Sequence, residues 1–75
     1  MKKFYIVRYV GGRGSDPYYG HDQTYPVAIK RRLFSKKVTL YKRRGYRDQM
    51  DPGSDRTFRD MYTLQKLFKI IEEDY

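Results

Sequence analysis

The chain's one histidine, His21, stands beside Asp22. A histidine and a carboxylate, with arginines at hand for a phosphate, are the raw materials of a small phosphodiester-cleaving enzyme. Neighbouring residues on a strand or loop point apart, however, so His21 and Asp22 do not by themselves make an oriented acid–base pair. The reading is therefore non-enzymatic, with His21 as polar surface. Asp48, Asp51 and Asp55 lack the spacing of a calcium loop and read as turn and cap residues. With no cysteine and a single histidine the chain offers no disulfide, thiolate ligand or zinc set. No metal or cofactor is expected.

Basic and aromatic side chains carry the remaining chemistry. The 75 residues hold 17 Lys+Arg against 9 Asp+Glu, a formal charge of +8, and nine tyrosines. Residues 30–47 contain Lys30, Arg31, Arg32, Lys36, Lys37, Lys42, Arg43, Arg44 and Arg47 and no acid, so one segment carries the whole excess. Charges that serve solubility alone are normally mixed in sign; a focused positive run attracts polyanions. Tyrosines sit among these cations in Tyr41-Lys42-Arg43-Arg44 and Gly45-Tyr46-Arg47. Bases stack on exposed aromatics for about 1–3 kcal/mol each while cations neutralise phosphates. Gly11-Gly12-Arg13-Gly14 resembles a single arginine–glycine box of RNA-binding proteins, in which glycine lets the backbone approach a phosphate and arginine pairs or stacks. It is neither a dinucleotide fingerprint nor a P-loop. The candidate nucleic-acid-binding residues are Arg13, Lys30, Arg32, Lys36, Lys37, Tyr41, Arg43, Arg44, Tyr46 and Arg47.

These residues must be positioned by one small domain spanning 1–75. Residues 3–10 are β-branched and aromatic and read as a strand ending at Gly11-Gly12; neither face is cleanly polar, which points to a central strand or one covered on both sides. Residues 11–25 are a long loop in which Tyr18 and Tyr19 either anchor to the core or offer stacking surfaces. Residues 26–44 read as a hairpin turning near Ser35-Lys36, with Leu33 opposite Val38 and Arg31 opposite Leu40. One face is mostly apolar and the other carries Lys30, Arg32, Tyr41 and Arg43. A short helix over 25–34, capped by Thr24, is the rival reading. Residues 45–55 form a turn region. Phe58, Met61, Leu64, Leu67, Phe68 and Ile71 fall at helical spacing and predict a helix over 56–73. That helix is charged against its dipole, with Arg56 and Arg59 at its start and Glu72, Glu73 and Asp74 at its end. Either the acids face basic residues of the sheet, or the arginines extend the basic surface.

The expected fold is thus α+β: an antiparallel sheet of about three strands with one C-terminal helix on its apolar face and the basic face open. The strand–loop–strand order departs from the RNA-recognition fold, which needs a helix after its first strand. The expected function is non-catalytic binding of nucleic acid, RNA or single strands above duplex, with phosphates on the Lys/Arg face and tyrosine stacking. The alternative is a small accessory or inhibitor protein docking on a nuclease or ribonucleoprotein, a class (phage-type) that the chain resembles in size and composition. No run approaches the ~18 apolar residues of a membrane span. The basic N-terminal segment is too short and charge-broken for a signal peptide, which makes an intracellular setting the expectation.

Overall fold

The computed structural model describes residues 1–74. It is a five-stranded antiparallel sheet in the order β4-β3-β2-β1-β5. The strands are β1 (Lys2–Tyr9), β2 (Thr24–Arg31), β3 (Val38–Lys42), β4 (Arg56–Phe58) and β5 (Phe68–Glu73). Among the described residues the one helix, α1 (Met61–Gln65), has five residues. The protein is therefore mostly β, and the expected three-stranded sheet with a long C-terminal helix is incorrect.

Within 56–73, residues 56–58 extend the sheet beyond β3, Asp60 caps one helical turn through the Thr63 amide at 2.7 Å, and Phe68–Glu73 pairs with β1. Two features explain why the helix loses. The inner edge of β1 needs a partner, and Phe68-Lys69-Ile70 alternates at the strand period, with Phe68 buried and Lys69 exposed. A continuous helix would also have held its charges against its own dipole; splitting it removes that conflict and lets Asp74 pair with Arg43. A bulge at Ile6/Val7 shifts the β1–β5 register, and the extra residue, Ile71, is exposed.

The hairpin forms, and the 25–34 helix does not. Its register lies two residues from the expected one: Arg31 opposes Val38, Ile29 opposes Leu40, and Ala28 opposes Tyr41. A shift of two preserves which side chains share a face, so the apolar side keeps its members except Leu33. Leu33 and Phe34 instead form the turn.

The main core lies on the face of Val7, Tyr9, Val27, Ile29, Val38, Leu40 and Phe68, with Leu64 of α1 over it. The long loop supplies the rest. Tyr19 packs edge-on to Phe68 at 4.8 Å between centroids and to Tyr25 at 5.2 Å. Its hydroxyl donates to the Ser54 carbonyl at 2.8 Å, and burial pushes its phenol pKa well above the usual value. Gly11 lies against Tyr9, whose hydroxyl bonds Ser15 Oγ at 2.7 Å; a Cβ on Gly11 would sit 2.2 Å from that hydroxyl. Tyr9 is itself buried and cannot step aside.

Gly11→Ala should therefore destabilise the fold by about 1–3 kcal/mol, the usual cost of overpacking. For a domain of this size each kcal/mol lowers Tm by roughly 4–8 °C. Calorimetry of the variant checks this; an unchanged Tm would show that the loop yields freely.

Candidate nucleic-acid interface

The apolar middle of the second sheet face decides which cations stay free. Phe4, Ala28 and Tyr41 lie side by side across β1, β2 and β3, and residues 43–50 fold back over them. Tyr41 donates its hydroxyl proton to Asp48 at 2.7 Å, and Lys2 donates to the same carboxylate at 2.6 Å. Those two bonds hold the Asp48 carboxyl below its ordinary range, while burial is the first cause of a raised Tyr41 phenol. The Arg43 guanidinium lies 4.4 Å from the centre of the Phe4 ring, donates to the Tyr46 carbonyl at 2.8 Å and forms an ion pair with Asp74. Arg43 is 2% exposed and Tyr41 7%.

The expectation of an open face lined by Tyr41 and Arg43 is thus corrected: both are structural, and Arg43 is neutralised within the molecule. Lys42 also has a carboxylate, Asp51 at 3.4 Å. The other eight candidates, Arg13, Lys30, Arg32, Lys36, Lys37, Arg44, Tyr46 and Arg47, are all exposed. They leave the fold at different places. Arg13 is on the first loop, Arg44, Tyr46 and Arg47 are in the turn after β3, and Lys30, Arg32, Lys36 and Lys37 surround the β2–β3 turn.

The last group makes the best-formed site. Across the outer face, Lys30 of β2 stands beside Thr39 of β3, which stands beside Thr57 of β4. The two threonine hydroxyls are 3.2 Å apart. With Arg31, Arg32 and Lys37 these residues line an open concavity of about 280 Å³. Among the described residues no carboxylate is ion-paired with Lys30, Arg31, Arg32, Lys36 or Lys37. Clustered cations and orientable hydroxyls suit an anion with several oxygens.

Above the concavity is the turn itself. Phe34 has φ 60° and a relative exposure of 105%, and Leu33 is 78% exposed. A bulky residue in the left-handed region costs about 1–3 kcal/mol. Sequence reasoning placed Leu33 in the core and passed over Arg31, Phe34, Thr39 and Thr57. The usable signal was the nearness of Phe34 to the expected turn at Ser35-Lys36.

Other residues singled out in the sequence hold the scaffold. His21 Nδ1 is 2.7 Å from the Gly11 carbonyl, while the Asp22 carboxylate turns to Arg8 at 3.5 Å. Arg56 does not extend the basic surface: it grips Asp16 with two bonds, of 2.8 and 2.9 Å, and lies 5.6 Å from the Tyr18 and Tyr19 rings. The described residues contain no group of three His, Asp or Glu placed to hold a metal ion, and no helix among them is long and apolar enough to cross a membrane.

Fold and groove together define a small antiparallel β domain bearing a cationic hairpin tip. No protein-family model matches the chain, and no curated protein or solved structure matches it.

The ion pairs predict how stability responds to acid. The Arg56 guanidinium holds the Asp16 carboxyl below 3.8, and the Lys2 and Thr63 bonds do the same for Asp48 and Asp60. A carboxyl depressed in the folded state stabilises the fold above its unfolded pKa, and that contribution disappears as pH falls through the folded value. The urea midpoint should therefore be flat from about pH 7 to 5 and fall below about pH 4. Asp16→Asn should lower the midpoint at neutral pH and flatten the acid limb; equal acid limbs would contradict the assignment.

Proposed function

We propose that the protein is a non-catalytic binder of nucleic acid that favours single strands, RNA foremost, over duplex. The observation that carries this reading is the groove of Lys30, Arg31, Arg32 and Lys37 beside the Thr39 and Thr57 hydroxyls, which has no acidic residue in its lining. Arg44, Arg47 and Tyr46, exposed in the turn after β3, add cations and an aromatic ring at a separate place on the fold. Phosphate contacts of this kind give affinity with little sequence information, and among the described residues the five-residue helix is too short to lie in a major groove and read bases. An intracellular setting belongs to the same reading.

The test is titration of labelled single-stranded RNA, single-stranded DNA and duplex DNA at several salt concentrations. Four phosphates contacted on a single strand give a log–log salt slope of roughly −3, at about −0.7 each. The double variant Arg32→Gln/Lys37→Gln should halve that slope, to about −1.4. Absence of binding at micromolar protein, or affinity that ignores salt, counts against the proposal.

A second reading, an accessory protein docking on another protein, draws on β5. It is the last strand of the sheet, it presents exposed Ile71, and an edge strand can accept a partner strand. Pull-down with and without nuclease treatment separates the two, since only direct protein contacts survive digestion.

A further inference from the structure

Phe34 is hard to account for within the molecule. Its φ of 60° suits glycine or asparagine, whose presence would remove the backbone strain. Its ring is fully exposed and makes no ring or cation contact among the described residues. Neither backbone geometry nor packing therefore asks for an aromatic side chain at the turn. Strain that the fold does not use is a reason to look for a use outside it.

The surroundings indicate which kind. Leu33 adds a second exposed apolar side chain, and Arg31, Arg32, Lys36 and Lys37 flank the pair in sequence. The cations do not stop at the tip: Lys30 continues away from it into the groove beside Thr39 and Thr57. A flat anionic lipid surface would meet the tip and leave that groove unused, whereas a flexible polyanion can follow it.

We propose that Phe34 is a stacking platform for an unpaired base, with Leu33 bracing that base's neighbour and the flanking cations holding the phosphates on either side. This rests on the nucleic-acid reading above and adds the chemical class of the ligand: a strand with unstacked, accessible bases. Duplex, whose bases are already stacked, would use the cations alone.

The chain contains no tryptophan, so Phe34→Trp installs a single reporter at the tip. The experiment uses the full chain, a mixed-sequence 12-nucleotide RNA, the matching DNA duplex, and phosphatidylserine vesicles. Phe34→Asn should bind the RNA roughly 5- to 140-fold more weakly than wild type, the equivalent of one lost stacked base. Its salt slope should not change, because no phosphate contact has been removed. Its Tm should equal or exceed that of wild type, which excludes misfolding as the cause. Phe34→Trp should retain affinity, and its emission should be quenched by RNA more than by duplex. Equal RNA affinity of wild type and Phe34→Asn, with salt dependence intact, overturns the platform and leaves phosphate binding standing. Indole emission that shifts on vesicles and ignores RNA overturns it in favour of a membrane contact. Failure of wild type to bind RNA at any salt concentration removes the nucleic-acid reading and the platform with it.

Discussion

A sheet with apolar residues on both faces must be covered twice, and the described residues include five in a helix with which to do so. The remaining cover comes from loops, and loops of such length carry polar backbone and charged side chains that need partners once buried. Tyr19 meets this condition on the first face by packing its ring on Phe68 and Tyr25 while its hydroxyl reaches Ser54. Arg43 meets it in part on the second: its guanidinium lies over the Phe4 ring and its terminal nitrogens reach the Tyr46 carbonyl and Asp74, while its buried Nε has no hydrogen-bond partner among the described residues. Ser54 ties Tyr19 to the sheet, since its hydroxyl accepts the Lys42 amide at 3.0 Å and so continues the bonding of β3 where β4 has yet to begin.

What the sequence made legible was set by side-chain period, and what it hid was set by partners distant along the chain. The alternation in Phe4–Tyr9 and in the two arms of the hairpin identified strands and sorted their faces. The register error of two residues did no harm to that sorting because a strand's faces repeat every two residues. The segment 56–73 is the opposite case. Phe58, Met61, Leu64 and Phe68 do share one core, but they reach it from a strand, a helical turn and a second strand. Their spacing satisfied a helix by coincidence, and tertiary pairing with β1 decided the outcome. The reversed charges at the two ends of that segment were a local conflict with the helical reading, of the sort that a sequence folding consistently at all levels does not contain.

The exposed cations were legible as composition and not as geometry. Most basic residues of the run 30–47 are exposed, and Arg43 is buried. Which members of that run would be exposed depended on Phe4 and Asp74, residues far away in sequence, so Tyr41 and Arg43 could not be distinguished from Lys30 and Arg32 by position alone. Phe34 was hidden for a different reason. An apolar residue next to a strand is ordinarily read as core, and the strand ends three residues before it.

The arrangement separates the cations that hold the fold from those available to a ligand. Arg43, Arg56 and Lys42 each have a carboxylate and lie where a loop must be fastened. Lys30, Arg31, Arg32, Lys36 and Lys37 sit around a turn that contributes nothing to either core, so their mutual repulsion and the strained backbone of Phe34 load only the tip. A long turn tolerates such a load because ordering it adds little to the cooperative unit. The same repulsion favours any multivalent anion that enters the groove, since each phosphate relieves a cost already present in the folded protein. Affinity built in this way asks nothing of the core, and the core in turn asks no particular side chain of the tip.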